Sequence, residues 1–344
     1  MIPGCYTAIA TPFKAGSIDY DGFAKLIDFQ IENGITGILA AGTTGESPTL
    51  NWDEHNKVIE FVAQKAKDKC LSIAGTGSNN TQETMDASEH AVKEGVDALL
   101  LVDPYYNGPS SLEIRREYMA PVAAAYPGVE IIPYIIPGRT GCQLLPEDLA
   151  LLYQEHKNVA TVKEATANLD NMKRTRDCCG SNFTILSGDD GMTFQMMVDP
   201  QIKAAGVISV ASNVAPKAIT QMVQLLSRGN QTEAETLLAD IEPLFDLVTV
   251  KTKEQTPYGQ VDCRARNPLA LKTLMQILGM PSGACRPPLG KMTPNGFQKV
   301  LATARQVQTQ NPAVFKPIED FFGVNIEDRL NNPQYWEGLS YESY

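Results

Sequence analysis

Histidine is scarce. Only His55, His90 and His156 occur in 344 residues, far apart along the chain, so they offer no ligand spacing for a zinc site. Cysteine occurs seven times but never as C-x-x-C. Cys178 and Cys179 are neighbours, a poor arrangement for a structural bridge, and reduced thiols are expected. Positive charge is also in short supply: 29 Lys and Arg stand against 40 Asp and Glu, a net charge of -11. That balance argues against bulk binding to nucleic acid or to an anionic membrane. It leaves room for a small anionic substrate, because a few local cations outweigh the mean field. No apolar run is long enough to span a bilayer. The first residues, MIPGCYTAIATPF, have no basic stretch ahead of a long apolar core. No signal peptide is expected, and the cytoplasm is the expected compartment.

What the sequence does have is alternation. Strand-like apolar stretches (GCYTAIATPF, TGILAAG, LSIAGTG, DALLLVDP, EIIPYIIP, VATVKEA, FTILSGDD and AAGVISV) are each followed by a helical pattern. The first helix carries Phe23, Leu26, Ile27 and Ile31 on one face, and later ones are expected over 51–66, 82–93, around 112–125, 149–155, 169–178, 193–198 and 218–227. Eight such units in a row predict an α/β fold, a closed (β/α)8 TIM barrel over 1–228, rather than an open sheet. Beyond Gln231 the alternation stops. TEAETLLADIEPLFDLV, NPLALKTLMQILG and TPNGFQKVLATARQV read as three helices, a C-terminal helical appendix over 229–310. The remainder, 311–344, is rich in aromatics and carboxylates without a clean period; it reads as a docked or a disordered tail, and its aromatics favour docking.

In such barrels chemistry sits at the C-terminal ends of the strands. The polar groups expected there are GTTGES after the second strand, Tyr105 and Tyr106 after the fourth, Tyr134 and then Arg139 after the fifth, Lys163 and Glu164 on the sixth, SGDD on the seventh and ISVASN on the eighth. Lys163 has two readings. Burial would lower its pKa and free a nucleophilic amine able to condense with a ketone. Alternatively it pairs with Glu164, although neighbours on a strand point to opposite faces. GTTGES suits a carboxylate or a phosphate, or is an ordinary strand-to-helix turn; it lacks the Gly-Lys-Ser/Thr of a Walker A loop. GTGSNN has Asn80 where a dinucleotide fingerprint needs its third glycine. Tyr134 either moves protons or fills the barrel mouth. Arg139 either clamps a carboxylate or lies on a surface loop.

Taken in order, GTTGES, PYYN, YIIPGRTG, VKEAT, SGDD and ISVASNVAP resemble the dihydrodipicolinate synthases of the class I pyruvate-dependent aldolase superfamily, from about Pro3 to Pro294. The resemblance implies condensation of pyruvate with aspartate 4-semialdehyde, without metal or organic cofactor. It implies Lys163 as the Schiff-base lysine, and Thr43 and Thr44 as holders of the pyruvate carboxylate. Tyr134 would be the proton donor and acceptor, linked to Thr43 and to Tyr106 from a neighbouring subunit. Arg139 would bind the semialdehyde carboxylate, with Gly188 and Ile208 giving backbone contacts. It further implies a homo-oligomer, a dimer of dimers, and inhibition by L-lysine at Ser47, Trp52, His55, Asn79, Glu83 and Tyr105. For Trp52 and His55 the competing reading is local packing at the start of the second helix. Related N-acetylneuraminate lyases and 2-keto-3-deoxy sugar acid aldolases share the lysine. Arg139 and Thr43 favour the synthases, since a sugar chain calls for neutral partners. A barrel that has lost its chemistry and serves only as a binding protein is the alternative of a different class. Ile135 and Gly138 stand where many members carry a polar residue and a serine, and the resemblance says nothing of the tail beyond about Ala313.

Overall fold

The computed structural model describes residues 1–344. Eight parallel strands close into a barrel: β1 (Gly4–Ala8), β2 (Gly37–Ala40), β3 (Leu71–Gly75), β4 (Ala98–Val102), β5 (Glu130–Ile135), β6 (Thr161–Glu164), β7 (Thr184–Ser187) and β8 (Gly206–Ser209). Each pairs with its sequence neighbour, and β8 returns to β1 through the register Tyr6 to Ile208. Helices α1 (Tyr20–Glu32), α2 (Trp52–Ala66), α3 (Thr81–Lys93), α4 (111–125, with a π turn over Ile114–Met119), α5 (Pro146–Glu155), α6 (Leu169–Cys179), α7 (Asp190–Val198) and α8 (Pro216–Ser227) come after the strands in turn. The strands are short and almost wholly buried on both faces, as parallel strands under a helical layer must be. No helix is long and apolar enough to cross a membrane.

Side-chain alternation along the strands sorts the core into two shells. Tyr6, Leu39, Ile73, Leu100, Ile132, Tyr134, Leu186 and Ile208 fill the barrel interior. Residues one position away, such as Ile38, Leu99, Ile131, Val162 and Val207, pack under the helices. On β6 this places Thr161 and Lys163 inward and Val162 and Glu164 outward.

Behind the barrel lie α9 (Gln231–Phe245), α10 (Leu269–Ile277) and α11 (Pro294–Gln310), the helices expected from periodicity. Between α9 and α10 the structure adds an element the helical reading did not contain. β9 (Thr249–Thr256) and β10 (Gly259–Arg266) form an antiparallel hairpin, paired from Thr249–Arg266 to Thr256–Gly259. Buried Val250, Thr252 and Glu254 alternate there with exposed Lys251, Lys253 and Gln255, and a positive-φ Gly259 closes the turn. The period of two was present in the sequence, but the buried positions are mostly polar and gave no hydrophobic alternation.

The tail is docked. α12 (Lys316–Phe322) sets Phe321 and Phe322 against Phe29 of α1, at centroid distances of 5.4 and 5.2 Å. From α13 (Ile326–Asn331), Arg329 donates to the carbonyls of Ile277 and Gln276, capping the end of α10.

Candidate active site

Lys163 lies level with Tyr134 on one side and Leu186 on the other. Its side chain is buried, with Nζ 4.1 Å from the centre of the Tyr134 ring. Burial is the main force on this amine and lowers its pKa from the ordinary lysine value to about 7; Asp190 pulls it up and Arg139 pushes it further down. The competing ion pair with Glu164 does not form. Glu164 faces outward, and its two oxygens accept from the Thr166 N–H at 2.7 Å and from Asn171 Nδ2 at 3.0 Å.

A lower cavity of about 180 Å³ opens over Lys163, walled by Thr43, Thr44, Tyr134, Arg139, Gly188 and Asp190 among others. Gly188 is required by proximity rather than by backbone angle. A Cβ there would meet the Ala165 Cβ at 2.9 Å and the Lys163 Cγ at 3.1 Å, so only glycine lets the lysine stem pass. The loop bearing Thr43 and Thr44 is bounded by two non-glycine residues in left-handed conformation, Ala41 at φ 52° and Glu46 at φ 58°. The N–H groups of Thr43 and Thr44 have no backbone acceptor, and neither is turned to a side chain, so both remain available to an anion. The Thr44 hydroxyl accepts from Asn267 Nδ2 at 2.9 Å.

Tyr134 is buried, and its phenol is pushed up to about 12 mainly by desolvation, with Arg139 and the Thr43 hydroxyl drawing it the other way. At neutral pH it is a proton donor. Arg139 sits on the single turn Pro137–Thr140, which ends in left-handed Gly141. Its guanidinium lines the cavity, reaches the Asn267 carbonyl at 3.4 Å, and is lowered first by burial. Ile208 belongs to the interior shell beneath the site, whereas Val210 lines the cavity. Of the two family departures, Gly138 lines the cavity and Ile135 packs outward under the helices. Tyr106 is not brought to the cavity: it is 90% exposed, at φ 79°.

An upper cavity of about 210 Å³ shares Thr43, Tyr134, Ile136 and Arg139 with the first, and Ser47 and Tyr105 line it. Glu83 is near enough to Tyr105 to raise its phenol pKa, second to burial, and also accepts from Ser78 Oγ at 2.6 Å, with Asn79 alongside. Trp52 and His55 stand apart from this lining. They pack edge-to-face at 5.1 Å; His55 is buried and its imidazole pushed down to about 4 by desolvation, hence neutral.

Sequence reading missed three residues of the lower cavity. Asp190, named only within SGDD, is buried beside Lys163 and accepts from the N–H groups of Val210 and Ala211 at 2.9 and 3.0 Å. Arg266 ends the hairpin and Asn267 is the next residue, both over a hundred positions from Arg139 in sequence.

Residues 1–307 match the model of the dihydrodipicolinate synthetase family. The chain is 39% identical over 297 residues to a 4-hydroxy-tetrahydrodipicolinate synthase of Methanococcus maripaludis, covering 86% of this chain and 96% of that one. It superposes on the structure of the 4-hydroxy-tetrahydrodipicolinate synthase of Methylacidiphilum fumariolicum SolV with TM-score 0.83 and 33% identity, covering 94% and 100% of the two chains. On the dihydrodipicolinate synthase of Cyanidioschyzon merolae with lysine bound, the TM-score is 0.80 at 32% identity, covering 89% and 98%.

Proposed function

The chain belongs to the dihydrodipicolinate synthetase family, and from that premise we propose how its own residues carry the reaction. The protein is a lyase that condenses pyruvate with L-aspartate 4-semialdehyde to 4-hydroxy-tetrahydrodipicolinate, a step of lysine and diaminopimelate biosynthesis. The neutral amine of Lys163 adds to the keto carbon of pyruvate, and loss of water leaves an imine. The free N–H groups and hydroxyls of Thr43 and Thr44 hold the pyruvate carboxylate. The protonated imine draws electrons from the adjacent methyl group, which loses a proton to give an enamine. The enamine carbon attacks the aldehyde carbon, and Tyr134 delivers a proton to the oxygen. The amine of the second substrate then displaces Lys163 and closes the ring. Arg139 holds the carboxylate of the semialdehyde. Tyr106, exposed on this chain, reaches the site of a neighbouring copy in a dimer of dimers working in the cytoplasm.

The observation that carries this reading is a buried lysine with no carboxylate partner, set in a cavity against a protonated tyrosine and a loop with free N–H groups. The test is incubation with pyruvate and borohydride, followed by mass analysis. A reduced pyruvate adduct on the peptide bearing Lys163 is expected. An unchanged mass removes the reading. Tyr134→Phe is expected to keep the trapped adduct while kcat falls about 100- to 10,000-fold, the range for losing a general acid; a variant with near-normal kcat would deny Tyr134 its role.

The Cyanidioschyzon merolae enzyme is a lysine-bound relative, and we propose L-lysine as an inhibitor of this chain. The upper cavity supports this: Tyr105 and Ser47 line it, Glu83 lies beside Tyr105, and its floor is shared with Thr43 and Tyr134. An ammonium group there would meet Glu83 and press on the proton-carrying side chains. Initial rates should fall with added L-lysine, and Glu83→Gln should relieve the inhibition. Constant rates up to millimolar lysine would remove the site.

A further inference from the structure

The lower cavity holds an arginine that the reaction scheme does not use, in a lining that also contains the carboxylates Asp189 and Asp190, neither of them ion-paired to it. Arg266, the last residue of β10, lines it together with Arg139, and the two guanidiniums are close enough for Arg266 to be among the groups depressing the pKa of Arg139. Arg264 acts in the same sense from two residues back, on the same face of the strand. Opposite Arg264 in the ladder stands Lys251, a like-charge pair, and the facing pair Thr249–Arg266 brings no carboxylate. None of Arg139, Arg264 and Arg266 forms an ion pair, although the chain has 40 acidic residues against 29 basic ones. Arg266 donates through both Nη atoms to one acceptor, the Gly138 carbonyl, each at 3.2 Å. That contact locks its plane beside the turn carrying Arg139 and leaves other N–H donors uncommitted. Unpaired like charges held together beside a cavity cost stability unless an anion joins them.

We propose that Arg266 is a second carboxylate-reading residue for the semialdehyde, so that its carboxylate is held between the guanidiniums of Arg139 and Arg266. This deepens the reading of the site given above and rests on it. Pyruvate is held at Thr43 and Thr44, so the two carboxylates are read by separate groups. The hairpin is thereby a specificity element: it carries a binding arginine to the cavity from outside the barrel. The Gly138 carbonyl, accepting from both Nη atoms, is what seats it.

The test is steady-state kinetics of Arg266→Gln with each substrate varied in turn. KM for the semialdehyde should rise about tenfold, with kcat changed less than about twofold and KM for pyruvate unchanged. Arg266→Lys should recover part of the loss, as a point charge replaces the fork. Arg264→Gln, which alters the field but not the lining, should leave the semialdehyde KM near the wild-type value. A semialdehyde KM that stays put in Arg266→Gln overturns the proposal. So does an equal rise in both KM values, which would mean a structural role through Gly138, or an equal effect in Arg264→Gln, which would mean general electrostatics. Borohydride trapping separates the layers. An adduct in wild type and Arg266→Gln alike, with unchanged semialdehyde KM, refutes the second arginine alone; no adduct in wild type refutes the imine reading beneath it.

Discussion

Lys163→Ala is expected to lose the borohydride-trapped pyruvate adduct and to lower kcat at least about 1,000-fold, equivalent to roughly 4 kcal/mol of transition-state stabilisation. Nothing else in the cavity can replace the amine. Asp190 is a carboxylate and cannot form an imine, with one oxygen taken by the Val210 and Ala211 N–H groups, and Tyr134 stays protonated far above neutrality. In the wild type the amine is the nucleophile only when neutral. With a pKa lowered to about 7, the rate of imine formation should climb with pH and level off above that point. Single-turnover trapping between pH 5.5 and 9 reads this directly, and a flat profile would mean that burial does not tune the amine. The same shift bears on stability. The folded pKa lies below the unfolded value of about 10.4, so between about 7 and 10.4 the unfolded chain binds a proton that the native chain does not. Stability contributed by this site therefore rises with pH across that window, and the full penalty of the buried charge stands below it. Lys163→Met should accordingly be inactive yet more stable, by about 0.5–2 kcal/mol at neutral pH, with the gain fading towards pH 10.

The parts of this site legible in the sequence are those carried on the barrel itself. Lys163, Tyr134 and the Thr43–Thr44 loop each come at the end of an apolar strand, and the rule that polar groups gather at strand C-termini finds them without a structure. The orientation of Lys163 was also readable, since strict alternation on β6 sends Glu164 outward. Asp190 was less so. It comes after a strand like the others, but its place beside Lys163 depends on the hydrogen bonds that turn its carboxylate back to the start of the Val210 segment. Arg266 and Asn267 were invisible, because no local pattern says that a hairpin behind the barrel folds over its mouth. The hairpin itself escaped because its buried face carries Thr252 and Glu254 beside Val250, so the period of two was polar on both sides. Trp52 and His55 carry both of their sequence readings into the structure: they pack on each other at the start of α2, and the Trp52 ring stays part-exposed outside the lining of the upper cavity.

The largest effect on stability is expected at a pair outside the chemistry. Lys272 on α10 and Glu46 at the end of the carboxylate loop are fully buried and joined at 2.5 Å. Lys272 Nζ also donates to the Thr11 carbonyl at 3.0 Å and lies 4.3 Å from the centre of the Phe13 ring. The second Glu46 oxygen accepts the Arg286 N–H at 2.9 Å, and the Glu46 N–H reaches back to the Thr43 carbonyl at 3.1 Å. One ion pair thus ties the loop that binds pyruvate to the helices behind the barrel, and holds Glu46 in its left-handed conformation. Lys272→Met leaves a buried carboxylate with a single donor, which should cost about 3–5 kcal/mol. Glu46→Gln leaves a buried ammonium facing neutral acceptors and should cost a similar amount. Combining the two removes both charges while the introduced amide oxygen keeps the Arg286 N–H, so the double variant should be more stable than either single one. Because the loop is tied through this pair, each single variant should also raise KM for pyruvate. Thermal or denaturant unfolding of the three variants, with pyruvate kinetics alongside, reads both effects. Additive losses in the double variant, or an unshifted pyruvate KM in the single ones, would mean that the pair neither bears on stability as a unit nor positions the loop.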